Sequence, residues 1–164
     1  MDMAISTEWK SKKLIYIRYY DRVSGSDVIR HAVEATADPR FDNLRFGLSD
    51  WRDLGEFDFD IQDVEELAAY TSAFTKTNPN IMHAIVMSQQ ETPQAFAGMY
   101  KFLADKLPWK TELFHTMEDA MSWLESASHY TEKNSTEKNS TENNSTESFG
   151  TEGNEAENSG TGTS

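Results

Sequence analysis

The chain of 164 residues contains no cysteine. That excludes disulfide bridges, thiolate zinc sites, iron–sulfur clusters and a cysteine nucleophile together. It suits a reducing cytoplasm, the compartment expected for this protein. Cations are scarce as well: 15 Lys and Arg stand against 28 Asp and Glu, a formal net charge of -13. Nucleic acid and anionic membranes both need a cationic face, so neither is expected as a partner. Apolar stretches stay far short of the roughly 20 residues a membrane-spanning helix requires, so no membrane insertion is expected. The opening MDMAISTEWK lacks the basic-then-apolar shape of a signal peptide. Only 8 glycines are present, and none forms G-x-G-x-x-G, a Walker loop or a G-x-S-x-G elbow.

What is there divides near residue 130. From Thr131 the chain reads TEKNS TEKNS TENNS TES, followed by a Gly/Glu/Asn/Ser/Thr stretch to Ser164. Between 131 and 164 only Phe149 and Ala156 are hydrophobic. Such a segment cannot bury enough apolar surface to offset the roughly 1–2 kcal/mol of backbone entropy per ordered residue. A disordered low-complexity tail is expected over 131–164 and a folded domain over 1–130. Asn134, Asn139, Asn143 and Asn144 match the glycosylation pattern, but with no export signal the matches read as accidents of the repeat. The tail holds seven Glu and two Lys, which leaves -8 for the expected domain.

Within 1–130, two strand-like stretches, Ala4–Trp9 and Leu14–Tyr20, come first. Ser24-Gly25-Ser26-Asp27 reads as the start of a helix with Val28, Ile29, Ala32, Val33 and Thr36 on one side, ended by Asp38-Pro39. Leu44–Trp51 reads as a strand and Ile61–Lys76 as a helix facing inward with Val64, Leu67, Ala68, Thr71 and Phe74. Ile81–Met87 is the expected central strand, apolar on both faces except at His83. Thr92 as N-cap and Pro93 at the first helical position open a helix. Its stripe is Phe96, Met99, Tyr100, Leu103 and Leu107. A short strand, Thr111–His115, precedes a last helix that Thr116 and Asp119 begin and that buries Met117, Ala120, Met121 and Leu124. The order β-β-α-β-α-β-α-β-α predicts an α/β fold: one three-layer domain with a mixed, mostly parallel sheet.

Chemistry-bearing patterns are few. His31, His83, His115 and His129 lie far apart, with no i, i+3 or i+4 pair for a metal; His83 reads as a satisfied residue of the core. Asp50 to Glu66 concentrates eight carboxylates. They read as a solvated loop and an acidic helix start, where the helix dipole favours negative charge. The EF-hand register fails for calcium. Trp51, Phe57 and Phe59 in that loop either plug down onto the domain or present a contact surface, near the carboxyl end of an expected central strand where partners of open α/β sheets gather.

Three stretches carry a family likeness: LRFGLSDWRDLGEFDFDIQDVEEL at 44–67, IMHAIVMS at 81–88 and LFHTMEDAMSWLE at 113–125. With these, residues 3–126 resemble the small bacterial STAS-like proteins, in the branch grouped with the sporulation anti-anti-sigma factor and with CRAL-TRIO lipid-binding domains. The resemblance implies a STAS-like fold and a regulatory role. In phosphorylatable relatives, a Ser or Thr at the start of the helix after the central strand accepts phosphate, adding about two negative charges to the partner surface. Here Asp50 through Tyr70 contains no Ser or Thr; Asp58 and Asp60 stand in that segment as fixed charge.

The expected function is therefore a non-enzymatic regulatory or protein-interaction module lacking the phosphoacceptor. Its partner- or ligand-binding candidates are Asp50, Trp51, Arg52, Asp53, Phe57 and Phe59. The alternative is a small-molecule or lipid carrier, which needs an apolar pocket lined from stripes such as Phe96, Met99, Tyr100 and Leu103. An enzyme using Asp50, Ser88 and His115 ranks behind both. No catalytic residue, metal or cofactor is implied. The expected partner is another protein; an apolar small molecule or a second copy of the chain also fits.

Overall fold

β-Branched and aromatic residues open the fold as an antiparallel pair, β1 (Ile5–Trp9) and β2 (Leu14–Ser24). The computed structural model describes residues 4–129; the expected tail over 131–164 lies outside the described residues. After β2 come α1 (Gly25–Ala37), a 3-10 turn (Pro39–Asn43), β3 (Phe46–Asp58), α2 (Ile61–Thr77), β4 (Met82–Val86), α3 (Glu91–Ala104), β5 (Lys110–Phe114) and α4 over 117–129. The sheet runs in the order β1-β2-β3-β4-β5, antiparallel only at its first pair. Helices α1, α2 and α3 cover one face, where Tyr19, Trp51 and Ile85 meet Val28, Val64 and Tyr100. On the other face Leu48, Ala84 and Val86 pack against Ala120 and Leu124 of α4. The compact unit reaches Ser126. This is the expected single α/β domain with a five-stranded mixed sheet and four helices.

Local chemistry sets the helix starts. Ser24 and Asp27 satisfy each other's backbone N–H groups in a capping box, and Asp60 and Asp63 do the same for α2. The start of α3 differs from expectation. Its N-cap is Gln90, not Thr92, and makes no side-chain cap hydrogen bond. The Gln90 amide is spent elsewhere, donating to the carbonyls of Leu54 (2.8 Å) and Gly55 (3.1 Å), which ties α3 to β3. On α1, Val33 is 39% exposed although the helical stripe placed it inward; α1 rests on the sheet through Val28 and the residues one turn on.

The larger difference is β3. The expected strand ended at Trp51 with a loop beyond it, but the strand continues to Asp58 and β2 to Ser24, paired throughout. Two register shifts give β3 an extra residue each time, so Trp51, Leu54 and Phe57 face inward at a spacing of three. A spacing of three breaks the strand period of two, which made this stretch read as a loop. Gly55 sits at the second shift, opposite Asp21, whose φ of 55° is left-handed. A Cβ at Gly55 would lie 2.9 Å from the Asp21 carbonyl oxygen, so only glycine lets the strands approach this closely. β3 is buried on both faces at Gly47, Leu48, Ser49 and Asp50.

Candidate functional site

The predicted site residues divide between the faces of β3. Asp50 is buried at 1% exposure on the α4 side. It accepts hydrogen bonds from Tyr16 Oη (2.8 Å) and from Arg52 Nε and Nη2 (2.9 and 2.8 Å). Burial pushes its pKa up, but the bonds from Arg52 and Tyr16 outweigh that and hold the carboxyl below its ordinary range. Burial first, then the hydrogen bond the phenol donates to Asp50 and the charge of that carboxylate, raises the Tyr16 pKa. Beside them, exposed Arg18 and Asp53 pair at 2.7 Å, and the Arg18 guanidinium lies over the Tyr20 ring. Further out, Arg22 reaches Glu56 and Asp58 at 3.6 Å. β4 pairs with β3 only as far as Asp50, whereas β2 accompanies β3 to Asp58. The two long strands therefore extend past the rest of the sheet as a ribbon with a charged outer face.

Trp51, Phe57 and Phe59 point the other way. Trp51 is 7% exposed, and its ring meets Tyr19 and Phe57 at 5.7 and 5.6 Å. Phe57 and Phe59 stack at 4.6 Å and both meet Phe96 edge-on. The structure thus joins Asp50, Arg52 and Asp53 on one side and the three aromatics on the other. Ser88 Oγ accepts from the backbone N–H of Gln90, and among the described residues no hydrogen bond links Asp50, Ser88 and His115. No group of three His, Asp or Glu side chains able to hold a metal occurs among the described residues.

Beneath the aromatics lies a cavity of about 120 Å³ between the sheet and α1, α2 and α3. Its sheet side carries Ile17, Ser49, Trp51 and His83, and its helix side Leu67 and Tyr100. Of the carrier stripe, Phe96 and Tyr100 line it, while Met99 and Leu103 pack elsewhere in the core. His31 and Ala35 line both the cavity and an outer groove between α1 and β1. Polar groups inside are linked in pairs: Ser49 Oγ lies 2.8 Å from His83 Nε2 and also meets the Tyr19 hydroxyl, and Thr71 Oγ1 lies 3.1 Å from Tyr100 Oη. Burial pushes His83 down to about 4, so its imidazole is neutral at pH 7. Gly47, across from His83 in register, leaves room for that ring; a Cβ there would lie 3.3 Å from His83 Cδ2.

Sequence reasoning read His83 as a satisfied core residue and did not single out Ser49 or Tyr19 for a site. The available signal was the pair of small residues Gly47 and Ser49 in a central strand, which leaves space above the sheet.

No protein-family model matches the chain, and no curated protein matches it. A solved structure that does is described as an uncharacterized protein of the DUF3478 family with a SpoIIAA-like fold, from Shewanella loihica PV-4. It is 16% identical, covering 74% of this chain and 92% of its own, with a TM-score of 0.43.

Proposed function

We propose that the protein is a non-enzymatic interaction module whose contact surface is the outer face of the β2–β3 ribbon. One observation carries this reading: Arg52, Asp53, Glu56 and Asp58 stand exposed along a ribbon that outruns the sheet, braced from behind by the buried Asp50 and the inward aromatics. Arg and Tyr, enriched at interface cores, are gathered here as Tyr16, Arg18, Tyr20 and Arg52. The acidic balance of the chain favours a basic partner and salt-sensitive association. The test is affinity capture from the native cell with the full chain and with Asp53→Arg, at low and high salt. A partner recovered by the unaltered chain should be lost with Asp53→Arg and weakened by salt. Recovery indifferent to both would remove the ribbon as the contact surface.

The cavity supports a second reading, in which the domain carries a small apolar molecule. Native mass spectrometry of gently purified protein tests it: a retained mass supports a carrier, and a bare protein that ignores added apolar compounds opposes one.

A further inference from the structure

Among the described residues, three buried side-chain atoms have no hydrogen-bond partner: Trp51 Nε1, His83 Nδ1 and Thr111 Oγ1. Trp51 and His83 line the cavity, and Thr111 lies across from His83 in strand register. Buried polar atoms are rarely left unpaired, because nothing replaces the water they lose.

The proton inventory decides what these atoms offer. An indole N–H donates and cannot accept. A neutral imidazole carries one hydrogen, and its site is set by the bond at the other nitrogen. The Trp51 indole N–H is a donor whatever its surroundings, whereas the Ser49–His83 bond fits either imidazole tautomer. Thr71 and Tyr100 are occupied with each other. Trp51 therefore brings one unpaired N–H donor to the lining of the cavity, in largely apolar surroundings.

Resting on the carrier reading, the geometry points to an uncharged single-ring molecule bearing a carbonyl oxygen — a cyclic ketone, lactone or aldehyde — that accepts from the otherwise unpartnered Trp51 indole N–H. Size limits it: about 120 Å³ compares with the 150 Å³ cavity that admits benzene, so one ring fits and a long acyl chain does not. Charge limits it further, since no Lys or Arg lines the space and a carboxylate would be desolvated without a counter-ion. A carbonyl oxygen accepts from the indole and brings no hydrogen of its own to strand.

The full-length protein is titrated with cyclohexanone and with methylenecyclohexane, which has nearly the same shape but CH₂ in place of oxygen, and the Trp51 indole N–H is followed by NMR. Cyclohexanone should bind about tenfold tighter and move that resonance, while methylenecyclohexane should not. Trp51→Phe should bring the two affinities together; if it does not fold, the indole resonance of the unaltered protein decides alone. Equal binding of both compounds would overturn the carbonyl inference and leave the carrier reading standing. Binding of neither would remove both, the cavity then holding only water. Tighter binding of cyclohexanecarboxylate would overturn the uncharged class.

Discussion

His83 shows how much one side chain's setting matters. On paper it is a lone histidine in an apolar strand, which fits a satisfied core residue. In the fold Ser49 satisfies one nitrogen and nothing among the described residues satisfies the other. Burial also lowers its pKa to about 4. An unfolded chain takes up a proton here near pH 6.5, and the folded protein does not. Stability should therefore fall as pH drops from about 6.5 towards 4 and level off below, a loss of up to about 3 kcal/mol. His31, also lowered by burial, titrates in the same direction. Urea denaturation at pH 7 and pH 4.5, for the unaltered protein and His83→Gln, isolates the His83 share. The substitution should shrink the acid loss; identical losses in both proteins would show that His83 takes no part. Trp51 makes the same point. Its type announced a plug or a contact, and only the neighbouring rings of Tyr19 and Phe57 select the plug.

Among the elements, those with a regular period were legible and those without were not. The inward sides of α2 and α4 follow the helical stripe at Val64, Thr71, Ala120 and Leu124, because burial of one face imposes that spacing. β3 defeated the same reasoning, since two extra residues shift its inward set to Trp51, Leu54 and Phe57. The start of α3 did too, because Gln90 bonds the β3 backbone and not its own helix. Gly55 anchors the irregular part of the ribbon. Replacing it with Ala forces a Cβ against the Asp21 carbonyl, and Gly55→Ala should lose about 1–3 kcal/mol in denaturant melts. A variant as stable as the parent would mean that the two strands can separate there without cost.

For the whole molecule, the expected division at residue 130 rests on composition. Only two residues of 131–164 are hydrophobic, so the segment carries little apolar surface to bury. Its deletion should leave the thermal midpoint within about 2 °C, since 1 kcal/mol corresponds to several degrees in a domain of this size. A larger fall by calorimetry would mean that the segment packs on the domain. Element order, the mostly parallel sheet and its helix layers follow from the sequence itself, because hydrophobic period and turn chemistry act over a few neighbouring residues. The site does not. Which face Leu54 and Phe57 take depends on bulges set by pairing with β2, and the cavity depends on gaps left where Gly47 and Ser49 of one strand meet His83 of the next and three helices above. Both are properties of distant residues brought together, and no local pattern encodes the space between them.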